Sequence, residues 1–204
     1  MLTKNIEVMK NETARHIADD AVKAGVYWKD GKGCFIGCLT HSDDASKVTD
    51  RFGIPGPLVR ILEHVFERLS ETERGLGIEF FKAIPDAIGG NGKDLEKVQW
   101  KFFINVLENL PECGGSVDGI VGLLRALEAG KPIYFSDAGA ALCVAQSAAR
   151  LEDTFSARAV YKIAYAVAYP GDAPSYFHAL DYAAVDNDEV MRQRDDILRL
   201  IKQA

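Results

Sequence analysis

Positive charge is in short supply. Lys and Arg number 24 against 30 Asp and Glu, for a net charge of −6. Phosphate contacts need clustered basic residues. Here they are interleaved with acids, as in "DEVMRQRDDILRLIKQA", the pattern of a solvated helix face. Nucleic acid is therefore not an expected partner. Cysteine is also scarce: four residues, at 34, 38, 113 and 143, whose spacing does not resemble a secreted disulfide framework. The first residues, "MLTKNIEVMKNETARHIADD", are charged and have no apolar stretch, so no signal peptide is expected. The longest uncharged run, residues 138 to 149, is too short and too polar to span a bilayer. A cytoplasmic protein with reduced thiols and no membrane partner is the resulting expectation. Several catalytic signatures are missing too. There is no Gly-x-Ser-x-Gly elbow, no His-Asp dipeptide and no Glu-x-x-His pair. "AIGGNGKD" fails as a phosphate loop, with Ala87 where glycine is required and Asp94 where Ser or Thr would hold magnesium. A loop leading into a helix is the expectation there.

What the chain does have is apolar periodicity at helical spacing. With 204 residues and 48% hydrophobic content it can bury a core without staples. The strongest signal is "GPLVRILEHVFERL", where Leu58, Ile61, Leu62, Val65, Phe66 and Leu69 form one stripe. Helices are also expected over 11–24 from an Asn11 cap to Gly25, and from Ser42 to Gly53. Another should start at a Ser70/Glu73 capping box and stop near Pro85. Further ones cover residues 95–110, 116–130, 136–153, 156–169, 173–185 and 186–203. "KPIYF", 131–135, is the one strand candidate. The expected fold is an all-α, compact multi-helix bundle of about nine or ten helices. It forms a single domain over 1–204, with any subdomain seam near 110–135. The C-terminal half is rich in Ala and Tyr. There Tyr161, Tyr165 and Tyr169 repeat every four residues, on a helix expected to lie in the core.

The chemistry concentrates in "VYWKDGKGCFIGCLTHSDD". On a helix, Cys34, Cys38 and His41 would share about 60° of arc, so all three would face one way. Cysteines four apart suit a metal, and zinc is the ion this donor set would take. His41 would stand about 10 Å along the axis from Cys34, at ~1.5 Å per residue. A fourth ligand would come from His16, Asp19, Asp20, Cys113 or Cys143. A thiol reading also exists, because Cys34 near a helix start and beside Lys32 should titrate low. The plainest reading is structural: Cys34 and Cys38 as small buried hydrophobes, with Gly33 and Gly37 admitting another helix. His41 would then bond Asp43, Asp44 or a carbonyl. The candidate loop comprises Tyr27, Trp28, Lys32, Cys34, Cys38, His41 and Asp43, with Trp28 largely buried and clamping the loop. His16 with Asp19 and Asp20, His64 with Glu67, and His178 with Asp181 read as surface ion pairs.

"GVYWKDGKGCFIGCLTH" followed by "GIPGPLVRILEHVFERL" resembles a family of uncharacterised bacterial and phage-associated helical proteins. Its shared pattern is a Tyr-Trp, a Gly-Cys-x3-Cys-x2-His element and a downstream "GIP". The resemblance covers roughly residues 25–70, extends to the Ala/Tyr-rich second half, and implies no function. The expectation is a non-catalytic helical interaction module that binds a protein partner or itself and needs no cofactor. The alternative is a metal- or thiol-dependent enzyme or sensor built on Cys34, Cys38 and His41.

Overall fold

The computed structural model describes residues 1–110, 116–152, 155–169, 180 and 186–204, with the backbone alone at 116, 135, 150–152 and 155. It is all-α. Ten helices lie among the described residues: α1 (Ile6–Ala18), α2 (Phe35–Thr40), α3 (Ser46–Phe52), α4 (Gly56–Thr72), α5 (Arg74–Ile88), α6 (Val98–Glu108), α7 (Ser116–Glu128), α8 (Phe135–Glu152), α9 (Phe155–Ala168) and α10 (Asn187–Gln203). None is long and apolar enough to cross a membrane. "KPIYF" forms no strand. The expected helix over 173–185, Cys113 and the His178–Asp181 pair fall outside the described residues.

The chain divides into two compact units, Met1–Val98 with Val190–Ala204, and Gln99–Glu189. The boundaries fall at the head of α6 and in the first turn of α10, not within 110–135. In the first unit, α5 packs on both α4 and α1. The α4 stripe is fully buried, and Phe81 meets Phe35 and Phe66 edge-on at 5.8 and 6.3 Å. Val190, Ile197, Leu200 and Ile201 form the buried stripe of α10. Its last carbonyls, of Ile201 and Lys202, accept from Lys93 Nζ at 3.4 and 3.3 Å.

Several helix boundaries depart from expectation. The first helix ends at Ala18 instead of running to Gly25, and α3 starts at Ser46 instead of directly after Ser42. Three others have a clear physical reason. The first helix begins at Ile6, not Asn11. The backbone N–H of Ile6 donates to Asn91 Oδ1 at 3.0 Å, so a side chain 85 positions away caps α1. The 89–94 loop also binds Thr3, which donates its N–H to the Lys93 carbonyl and its hydroxyl to the Gly90 carbonyl, both at 2.9 Å. Ser70 caps nothing. It lies inside α4, and α5 starts after an extended Glu73. Pro85 does not stop α5, which continues to Ile88 before Gly89.

In the second unit, α7, α8 and α9 pack pairwise, with Ala138 and Ala145 of α8 and Ala157, Ala159, Ala164 and Ala166 of α9 all buried. Small faces let helix axes approach closely. The tyrosine series is not in that core. Tyr161 and Tyr165 are half-buried and Tyr169 is 41% exposed, while the ring centroids step along the helix at 6.3 and 4.7 Å.

Candidate functional site

Before α2 the candidate loop forms a hairpin. Trp28–Lys29 pairs antiparallel with Lys32–Gly33, closed by Asp30 and Gly31 at φ 52° and 77°. Two positive φ values in a two-residue Asp-Gly loop make a type I′ turn. The next contact explains two glycines. A Cβ at Gly33 or Gly37 would overlap the Tyr27 carbonyl oxygen. Gly33 and Gly37 therefore admit the backbone of the hairpin, not another helix.

α2 is six residues long, and both residues that bracket it are non-helical. Cys34, the N-cap, is extended (φ −73°, ψ −170°). His41, the C-cap, is left-handed (φ 53°, ψ 37°). The helical arc drawn through 34, 38 and 41 therefore does not hold, and the three side chains part.

Cys34, 1% exposed, joins two acids from α4. Its sulfur and one oxygen each from Glu63 and Glu67 lie within 4.8 Å of one another. Glu63 is buried, and its Oε2 accepts the Ile36 N–H at 3.0 Å. Glu67 is half-buried, and its Oε2 accepts the Gly25 N–H at 2.8 Å. Burial lifts the Glu63 carboxyl to about 7, with the Cys34 thiol pulling back and Glu67 pushing further. Burial likewise lifts Glu67. The Cys34 thiol is pushed far up by burial and then by Glu63, so it stays protonated at neutral pH, against the expectation of a low-titrating cysteine. Cys38 goes elsewhere. Its sulfur donates to the Gly33 carbonyl at 3.1 Å, and burial pushes it up to about 12.

His41 meets His16 of α1, their Nε2 atoms 3.2 Å apart. The ring centroids are 5.3 Å apart and the planes differ by 13°. That separation exceeds the N···N distance by about two ring radii. The imidazoles thus lie edge to edge, nitrogen facing nitrogen, one donating and one accepting. Trp28 stacks on His41 at 4.1 Å and 17° and reaches His16 at 5.5 Å. His16 is buried, and burial, then Arg15 and His41, hold it below the usual histidine range. His16, expected above as a fourth ligand or in a surface ion pair with Asp19 and Asp20, is instead buried and is the actual partner of His41, in place of Asp43, Asp44 or a carbonyl. Asp44 instead accepts from the Ser46 N–H at 2.9 Å.

The other loop residues are peripheral. Trp28 is half-buried, less than expected, Tyr27 is 41% exposed, and Asp43 is exposed. Lys32 pairs at 3.1 Å with Asp20, which also pairs with Arg74. His64 is buried and held down to about 3 by burial and then Arg68, not surface-paired with Glu67. The set Cys34, Cys38 and His41 is not gathered. Among the described residues the one group of three or more His, Cys, Asp or Glu at metal-ligand separation is Cys34, Glu63 and Glu67.

Glu63 was the residue missed. Its signal was present: on α4 it sits four after Val59 and three before Phe66, both buried, so it falls on the inward arc.

A second feature of this unit is a groove of about 350 Å³ between α1 and α5. Ala14, Ile17, Ala18 and Pro85 line it with apolar surface, and Lys10, Lys82 and Asp86 contribute charge. Thr13 also lines it, and the Thr13 hydroxyl is buried with no hydrogen-bond partner among the described residues.

No family model matches the chain, and neither a curated protein nor a solved structure matches it.

Proposed function

We propose that the chain is a non-catalytic helical binding module of the cytoplasm, which takes a protein partner or a second copy of itself in the groove between α1 and α5. One observation carries the reading: the open groove is lined mainly by apolar surface from Ala14, Ile17, Ala18 and Pro85, with charge from Lys10, Lys82 and Asp86. At about 350 Å³ it lies in the size range of small-ligand and side-chain pockets. The chemistry-bearing thiols support the same reading, since both are buried and protonated rather than poised as nucleophiles. The acidic balance speaks against nucleic acid.

Ala14 is exposed at the groove, so Ala14→Trp fills it at little cost in stability. Sedimentation velocity over a concentration series should show self-association that this substitution weakens at least tenfold. Wild-type protein that stays monomeric throughout, with Cys34 labelled within seconds at neutral pH, would contradict the reading and restore a thiol enzyme.

A further inference from the structure

We propose that Cys34, Glu63 and Glu67 form a binding site for one divalent ion of the zinc class, held by a thiolate sulfur and two carboxylate oxygens, with water completing the coordination. The three donors already lie within 4.8 Å of one another. Around tetrahedral zinc, donors about 2.0–2.3 Å from the ion stand about 3.5 Å apart, a small rotamer adjustment away.

Three further features fit. First, both carboxylates are oriented by backbone. Each commits Oε2 to an N–H, from Ile36 and from Gly25, which leaves its other oxygen for the cluster. Ligating carboxylates are commonly held in this way. Second, the three groups would together carry negative charge once deprotonated, with Cys34 and Glu63 buried, and a bound divalent cation would match that charge. Third, Cys34 and Glu63 are closed off while Glu67 is half-buried, which leaves one side open for entry and for the water ligand.

The thiolate sets the class of ion. Magnesium and calcium prefer all-oxygen sites, whereas sulfur with carboxylate suits zinc and its softer neighbour cadmium. On binding, the Cys34 thiol gives its proton to solvent and the sulfur's electron pair goes to the metal. A proton held on the carboxyl groups leaves in the same way. No electrons are exchanged. The ion would bind the Gly25–Cys34 segment to α4, a closure that the hydrogen bonds alone now make.

Cadmium is the probe, because a thiolate–cadmium bond adds an ultraviolet charge-transfer band. The full chain titrated with cadmium, then competed with zinc, should show the band saturating at one equivalent and lost to zinc. Cys143→Ser and Cys113→Ser should leave it unchanged. Cys34→Ser should abolish it, and Glu63→Gln and Glu67→Gln should each weaken binding at least tenfold. The side-chain carbonyl in Glu63→Gln would still accept the Ile36 N–H, so this variant keeps the fold while removing the ligand charge. Circular dichroism on each variant checks that point. A wild-type protein with no band at one equivalent would overturn the site and leave a neutral thiol–carboxyl knot. So would a band that survives Cys34→Ser, or affinity unchanged in both glutamine variants.

Discussion

The two ends of α2 behave in opposite ways. At its N-terminal end Cys34 turns inward to two acids of α4, where Cys34 and Glu63 are buried and Glu67 is half-buried. At its C-terminal end His41 turns outward and meets an imidazole of α1 under the Trp28 ring. Six helical residues separate a cluster that is neutral when protonated from one that is neutral when deprotonated. The lesson is geometric. The residues that bracket a short helix are not helical, so spacing across it does not translate into a common face.

The largest effect should come from breaking what both ends share. The Tyr27 carbonyl sits against Gly37 in the middle of α2, where a Cβ would overlap it. Gly37→Ala should therefore displace the hairpin and cost about 3 kcal/mol in urea unfolding, at the upper end for overpacking. A loss under 1 kcal/mol would show that the hairpin moves freely. Next is Trp28→Ala. A fully buried tryptophan would cost ~3–5 kcal/mol, but this ring is half-buried, so about 2 kcal/mol is expected. The damage should stay at the histidine end. NMR titration should show His16 altered while Cys34 and Cys38 label as slowly as before.

The limits of sequence reading follow the same divide. The α4 stripe was legible because helical periodicity is local and the helix is long. The Asp-Gly hairpin carried its usual turn signal, but strands of two residues are too short to show alternation. The start of α1 was hidden because its cap, Asn91, arrives from another loop. The cluster of titratable residues was noticed for its residue types, yet its true partners were not. Glu63 and His16 reach Cys34 and His41 only through packing of α4 and α1, and no spacing within 31–44 encodes that. The helical arc failed for a reason visible only in the backbone, the left-handed conformation of His41 and the extended one of Cys34.

Acid and base should pull the two ends apart. Glu63 titrates about 7 in the folded chain, above its ordinary value, so the folded state holds a proton that the unfolded chain has lost. Stability should fall as pH rises through roughly 4.5 to 7. His16 is held below the ordinary histidine value, so the unfolded chain binds the extra proton, and stability should fall as pH drops below about 6.5. Glu63→Gln should flatten the first slope, leaving the part that Glu67 carries, and His16→Gln should reduce the second, leaving the part that the buried His64 carries. Urea midpoints from pH 4.5 to 8 in metal-free buffer would show it. Identical profiles in both variants would mean that neither group carries the dependence.

The mildest probe is thiol labelling of the native protein. Cys143 is exposed and should react quickly at pH 8, with Cys34 and Cys38 lagging by orders of magnitude. Equal rates would place all three thiols in similar surroundings.

That the two ends of α2 are separate sites is tested most directly by double-mutant cycles on stability. Cys34→Ala combined with His41→Ala should be additive within about 0.5 kcal/mol, while Cys34→Ala with Glu63→Gln, and His16→Ala with His41→Ala, should each show coupling above that. Coupling between Cys34 and His41 as large as in those two pairs would contradict the account and put the cysteine and the histidine back in one site.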